Sequence, residues 1–514
     1  MLDLAAFHSP LFTDAYAGIL SRAEGVAEPP ATYIHAATAT VRERLVRCVW
    51  FDQTLATDRL RTDDGRKLRV LSPGWWNLEA GPDFRNAALR LSGGPVVKGD
   101  VEVHLHSGLW RAHGHHTDPN YNGVVLHVLL HNDGGSTGVT TAAGTAVPQL
   151  TLDPYLTVPL TDLAEAVDPA EYPETSDAAA GRCQKLIAEG KATPEWLTTF
   201  LDHAGDQRIA AKARRLAARA AGDDDQLLYE AIAEGLGYKR NAAPMRQLAR
   251  ALPLDALAPR LAQRPDDVPV ALAAEALLFG MAGLLPGAGS IEDPQAASHV
   301  EQLHPLWAQL GSDLADDALD AAQWSFDGTR PTNFPTRRVA ALAQLAAAHT
   351  TVGISHALRR SLAGFAQSTT TARELSRRRA QFLDFFLSLS NPFWNIRSTF
   401  GSRPSPRPMR LVGTDRAHTI VINALLPALL FQARRDVDRP FEEALHRFYA
   451  HYPKLPSSSV TRAMALKLFG RPESEVKLLR SARRQQGLYQ LYGDFCNSPH
   501  TTCAQCPLAR LLET

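Results

Sequence analysis

Two hydrophobic rhythms divide this chain. Between about residues 67 and 155, apolar and polar residues alternate in short runs, the period of half-buried strands. Four such runs stand out, at 67–71, 87–91, 96–106 and 123–130, with Gly93-Gly94 and Gly134-Gly135 as turns. Just before them, Val41, Leu45, Val46, Val49 and Trp50 fall at helical spacing and predict an amphipathic helix over 37–52. From Thr193 onward the apolar positions recur every three to four residues, predicting helices that include 307–319, 336–348, 371–389, 418–433, 439–452, 462–469 and 473–492. No fixed repeat length relates these helices, which argues against a solenoid. The expected fold class is α+β or α/β, a small mixed β-sheet domain followed by a large all-helical region. Its parts are an extension at 1–36, the sheet domain at 37–155, an acidic Pro/Ala-rich linker at 156–192, helices at 193–480, and a C-terminal helix with a cysteine cluster at 481–514.

Composition narrows the setting more than the function. Among 514 residues, 54 Lys and Arg balance 54 Asp and Glu, so net charge neither supports nor opposes a nucleic-acid partner. The N-terminus lacks a basic segment followed by an apolar one, and no apolar run reaches the roughly 18 residues that span a bilayer. Three of the five cysteines lie within residues 496–506, unlike an extracellular disulfide framework. A cytoplasmic protein without a membrane partner is expected.

The chemistry concentrates in 67–130. Strand alternation places Asp100, Glu102, His104 and His106 on one face and their apolar neighbours on the other. A row of carboxylates and imidazoles is costly to bury without a partner such as a metal ion. A solvated strand face is the competing reading. Asp83, in the turn Gly81-Pro82-Asp83-Phe84, and Glu79 bring further carboxylates close in sequence. His113, His115 and His116 follow in the next loop, so an imidazole-rich Zn²⁺ or Fe²⁺ site using His104, His106, His113 and His115 is a second expectation.

At the C-terminus, Cys496, Cys503 and Cys506, followed by Pro507, have spacing suited to a Zn²⁺ ion or an iron–sulfur cluster such as 4Fe-4S; the fourth ligand is not local, with Cys183 the first candidate and His500 the next. Two segments, RPTNFPTRRVA at 330–340 and the aromatic, basic 390–410, suit either nucleic-acid contacts or buttresses that pack the helical region onto the first domain.

The order helix, strand, strand opening near Asp83, strand carrying Glu102-x-His104, and a further strand is similar to the PD-(D/E)XK nuclease core. That resemblance implies a metal-dependent nuclease or phosphodiesterase acting on DNA or RNA. Asp83 and Glu102 would hold Mg²⁺ or Mn²⁺, Glu79 would assist, and His104 would take the place of the usual lysine. A crossover to a parallel neighbouring strand would have to fit within 107–121. A non-catalytic nucleic-acid-binding protein on a degenerate nuclease fold is the remaining alternative. Taken together, the stretches Asn77–Ala87, Gly99–His104, Trp110…His113-Gly-His115, Tyr121–Val128, Arg330–Arg337 and Cys496–Cys506 resemble DUF2851, a family of uncharacterised bacterial proteins.

Overall fold

The computed structural model describes residues 15–23, 43–77, 81–157, 159–160, 162–163, 167, 172, 182–217, 222–287, 289–326, 329–350, 352–362, 365, 371–496 and 506–513. The chain forms two compact units. One comprises 34–175 with 322–325, and the other 1–33, 176–321 and 326–514. The first carries a mixed seven-stranded sheet and the second is helical. No described helix is long and apolar enough to cross a membrane.

After helix α1 (Ala15–Ala23) of the helical unit, the sheet unit begins with α2 (Glu43–Asp52), which buries Leu45, Val46, Cys48, Val49 and Trp50. The expected helix over 37–52 thus begins, among described residues, at Glu43; residues 37–42 lie outside them. The strands are β1 (Leu68–Ser72), β2 (Trp75–Trp76), β3 (Phe84–Leu91), β4 (Val96–His106), β5 (Val124–His131), β6 (Gly138–Thr140) and β7 (Ala146–Thr151). They lie in the order β1-β3-β4-β5-β7-β6, with β2 also paired to β3. β1, β3 and β4 run antiparallel, whereas β5 lies parallel to β4 and β7 parallel to β5. The crossover from β4 to β5 is accomplished within 107–123 by a single helical turn, α3 (Leu109–Ala112), and a 3-10 turn at Pro119–Tyr121. It is short because it folds over the sheet instead of carrying a full helix.

Central strands of a parallel sheet are covered on both sides and read as near-continuous apolar runs. β5, Val-Val-Leu-His-Val-Leu-Leu-His, obeys this, and its buried polar interruption, His127, requires partners. Register places Val101 beside Leu126 and Val103 beside Val128 on one face. On the other, Glu102 neighbours His127, and His127 neighbours Gln149. The single polar face expected for β4 therefore continues across two more strands.

In the helical unit, helices Pro194–Ala217 and Ala482–Leu491 cross closely. A Cβ on Gly205 would strike the carbonyl of Arg483, and one on Gly487 that of Leu201. The helix expected at 307–319 instead spans Pro294–Leu310, because Asp293 caps its start through Ala296 N (2.9 Å) with Pro294 at the first turn. Gly311 ends it, and a 3-10 turn at Ser312–Asp317 follows.

The basic segments at 330–340 and 390–410 brace this unit internally. The buried Arg337 donates to the carbonyls of Trp394, Arg397 (2.9 Å), Met409 (3.2 Å) and Arg410 (2.7 Å). Arg338 donates to the Leu411 and Thr332 carbonyls and to Asn333 Oδ1 (2.7 Å). Trp394 Nε1 and Asn391 Nδ2 donate to the buried Glu275 at 2.6 and 2.9 Å. These guanidiniums are spent on backbone carbonyls and are not presented to phosphates. Arg337→Met retains the apolar stem but orphans the buried carbonyls of Trp394 and Arg397, so urea denaturation is expected to show a loss of about 3 kcal/mol or more. A loss under about 1 kcal/mol would show that the bracing is dispensable.

Candidate metal centre on the polar face of the sheet

The site begins where the antiparallel ladder of β3 and β4 breaks. A register shift between Phe84 and Ala87 leaves Asn86 at φ 55°. Side chains replace the missing ladder bonds there. Asp83 N donates to Glu102 Oε2 (3.0 Å), and Val103 N donates to Asp83 Oδ2 (3.1 Å), a reciprocal bracket. The other Asp83 oxygen, Oδ1, lies 2.8 Å from Arg47 Nη1 on α2, which also pairs with Glu43. Both oxygens of Asp83 are thus engaged by the protein itself. Asp100 holds the bulge from the other side through Arg85 Nη1 (2.6 Å) and Asn86 N (3.2 Å).

Glu102 keeps Oε1 for a different set of neighbours, 3.2 Å from His115 Nε2 and 3.5 Å from His104 Nε2. His104 Nε2 is also 3.2 Å from His113 Nδ1. Among the described residues, His104, His113 and His115 form a group able to hold one metal ion, their ligating atoms all within 4.8 Å of one another. The crossover makes this convergence possible. Gly114, at φ +77°, lies between the two loop histidines in a backbone conformation that favours glycine, so both imidazoles turn toward β4. Trp110 closes the site from above, its Nε1 donating to the Thr140 carbonyl (3.2 Å), and the Tyr121 ring stacks on His115 at 3.8 Å. His113 alone of the four donors is exposed, so the cluster is dry on the sheet side and open at His113.

Burial dominates the electrostatics. It pushes Asp83 well above the usual carboxylate range, with the Glu102 charge adding to the effect, and raises Glu102 to about 8. Burial also lowers His104 to about 2, helped by the charges that His127, His115 and His113 would carry, and lowers His127 to about 3. Burial thus favours the neutral form of His104 and His127, the form in which an imidazole ligates a metal. His115 is lowered in the same way, and its Nε2 is buried without a hydrogen-bond partner. A cation placed among this nitrogen, the Glu102 carboxylate oxygen and the two further imidazoles would give it a partner.

The remaining expected residues fall elsewhere. His106 is exposed, with Nδ1 3.6 Å from Asp133 and its ring 5.9 Å from that of His131, outside the cluster. Glu79, His500 and Cys503 lie outside the described residues. Cys183 and Cys506 come together although 323 positions separate them (506 − 183). A hydrogen bond from Cys183 is the main cause holding the Cys506 thiol down at about 6. Cys496 ends the segment Tyr492–Cys496. The sequence marks His127 as one of the titratable groups of 67–130 without giving it a role, and does not single out Arg47 or Gln149. His127 was visible as the one polar residue inside the apolar run 124–130, whereas Arg47 and Gln149 carried no signal of their own.

The family described as a protein of unknown function, DUF2851, matches residues 43–455, which include every residue of this cluster. The chain belongs to this family. No curated protein and no solved structure matches it.

Without a bound ion, opposing titrations shape stability. The folded pKa values of His104 and His127 lie below the ordinary 6.5, so their contribution is present above pH 6.5 and declines as pH falls toward 3. Glu102 has a raised folded value, so the folded state holds its proton and loses relative stability as pH rises from 4.5 to about 8; Asp83 acts in the same sense. Denaturation of ion-free protein across pH is expected to show a plateau at about pH 4.5–6.5, with a fall on each side. Glu102→Gln reduces the alkaline fall. An alkaline limb unchanged in that variant would contradict the burial of an ionisable carboxyl here.

Proposed function

We propose that the sheet unit is a metal-dependent hydrolase whose ion is held by His104 Nε2, His113 Nδ1, His115 Nε2 and Glu102 Oε1. The observation that carries this reading is the spacing of the four donors. Around a tetrahedral ion with ligand bonds of about 2.0–2.1 Å, neighbouring donors stand about 3.3 Å apart. The three separations that link all four donors here are 3.2, 3.2 and 3.5 Å. Three imidazoles and one carboxylate suit Zn²⁺ or Fe²⁺ better than Mg²⁺, which prefers oxygen ligands. With Arg47 already paired to Asp83, the Mg²⁺ or Mn²⁺ site expected from Asp83 and Glu102 has less support than the imidazole site.

An ion held by these four donors would have to take a water as a fifth ligand, and would then lower that water's pKa and supply a hydrolytic nucleophile near neutral pH. The protein's own groups prepare for it. Asp83 and its bracket fix Glu102, Tyr121 holds the ring of His115, and Trp110 excludes solvent from the buried side. Exposed His113 marks the side from which a substrate reaches the centre. As substrate we propose the phosphodiester of DNA or RNA. Support for it is the strand order, antiparallel β1-β3-β4 and then parallel β5, with Asp83 opening β3 and Glu102-x-His104 on β4, which agrees with the order expected of a PD-(D/E)XK-like core.

Elemental analysis combined with hydrolysis of bis(4-nitrophenyl) phosphate and of single- and double-stranded DNA and RNA tests the reading. We expect one transition-metal ion bound at the sheet unit, lost in His104→Ala and His115→Ala together with at least a hundredfold of kcat/KM. Asp83→Asn should retain most of the ion. Nucleic-acid binding without turnover by the metal-loaded protein would favour the non-catalytic alternative, and an ion retained in both histidine variants would refute the centre.

A second, structural metal site is proposed at the cysteines, taking Zn²⁺ or a 4Fe-4S cluster through Cys183, Cys496, Cys503 and Cys506. The contact of Cys183 with Cys506 and the lowered thiol of Cys506 support it. Cys183→Ser is expected to lower the thermal midpoint by several degrees and to remove zinc, or iron with sulfide. An unchanged metal content would exclude Cys183 as a ligand.

A further inference from the structure

Behind His104 the polar face continues away from solvent. His104 is 1% exposed, and His127 and Gln149 are both 0% exposed. His104 Nδ1 stands 2.8 Å from His127 Nε2, and His127 Nδ1 stands 3.1 Å from Gln149 Nε2. On its other side, His104 Nε2 meets His113 Nδ1 at 3.2 Å. Gln149 Oε1 is buried and has no hydrogen-bond partner.

A neutral imidazole donates from one nitrogen and accepts at the other, so the direction of one hydrogen bond in such a file fixes the rest. With Gln149 Nε2 donating to His127 Nδ1, His127 Nε2–H donates to His104 Nδ1, and His104 Nε2–H donates to His113 Nδ1. Every link is then made, but the proton on His104 Nε2 removes the lone pair that would bind a cation. In the reverse direction, His104 Nδ1–H donates to His127 Nε2, and His127 Nδ1–H needs an acceptor. Gln149 Oε1 becomes that acceptor when the amide turns over. Both imidazoles stay neutral with one proton each in either direction, so the reversal neither gains nor loses a proton.

We infer that His127 and Gln149 form a reversible hydrogen-bond relay that frees the Nε2 lone pair of His104 for a transition-metal cation, with Gln149 ending the relay in both directions. The inference rests on the metal-centre reading above and assigns positioning roles to two residues that cannot reach the ion themselves. An amide suits the terminus because one rotatable head carries both a donor and an acceptor. A carboxylate would supply only the acceptor that the ion-bound direction uses, and an aliphatic side chain would supply neither. The unpaired Oε1 is the atom that only the ion-bound direction employs.

Titration of Co²⁺ into the ion-free, full-length protein, in every case with Cys496, Cys503 and Cys506 changed to serine, tests this, because thiolate-bound Co²⁺ also absorbs in the visible and without those thiolates the d–d band reports the imidazole site. Gln149→Leu is expected to weaken Co²⁺ binding 10- to 100-fold, the usual effect of losing an outer partner of a ligating histidine, and to shift the d–d band. Gln149→Met gives the same reading in a side chain of closely matched shape, should the leucine variant fold poorly. Gln149→Glu is expected to match or exceed wild-type affinity, a rescue that simple bracing of the sheet does not predict. If wild type shows a d–d band and the leucine and methionine variants bind Co²⁺ as tightly, the relay is overturned while the centre stands. Equal losses in the glutamate variant and the apolar ones would also overturn it. If wild type shows no d–d band, the metal centre itself fails.

Discussion

The constraint on which this sheet unit depends is the burial of ionisable groups on one face of its central strands. Glu102, His104 and His127 are each 3% exposed or less, where an uncompensated charge is costly. The protein meets that cost by neutralising the groups and wiring them together. Both histidines are held in their neutral form, Glu102 is bracketed by the backbone of Asp83, and His127 is linked to Gln149. Such a polar network is worth retaining only if nearly every member finds a partner. Two of the atoms left short, His115 Nε2 and Gln149 Oε1, are ones that a bound cation and the reversed relay would satisfy.

Much of the local structure serves that arrangement. The break in the β3–β4 ladder allows Asp83 and Glu102 to exchange backbone bonds, and Arg47 from α2 fixes the outer oxygen of Asp83. The short crossover trades length for coverage. Within 107–123 it supplies two imidazoles, the Trp110 cover and the Tyr121 ring that holds His115. Asp83 thus acts through Glu102, and Glu102 through the single oxygen left facing the histidines.

The division into a mixed sheet and a helical region was legible because the hydrophobic period changes from two to near 3.6 along the chain. The polar face of β4 was legible from Glu102-Val-His104 alternation, and the density of imidazoles in 113–116 pointed to the loop from which His113 and His115 join His104. Other features were not legible. Asp83 and Glu102 look alike as sequence, and only the bulge shows that one carboxylate is occupied by Arg47 and Val103 N while the other keeps a free-facing oxygen. His106 shares the alternation of His104 but lies at the exposed end of the strand. The arginines at 337 and 338 carry the charge of a phosphate contact, but their depth turns them toward carbonyls. His127 and Gln149 become significant only once β4, β5 and β7 are known to be parallel and in register.

X-ray absorption at the zinc edge tests the central claim most directly, using full-length protein with Cys496, Cys503 and Cys506 changed to serine and one equivalent of Zn²⁺ bound. The account predicts a shell of nitrogen and oxygen at about 2.0–2.1 Å with the outer-shell scattering of about three imidazoles, abolished by His115→Ala. A shell of oxygen alone, without imidazole scattering, or a spectrum unchanged in that variant, would contradict it.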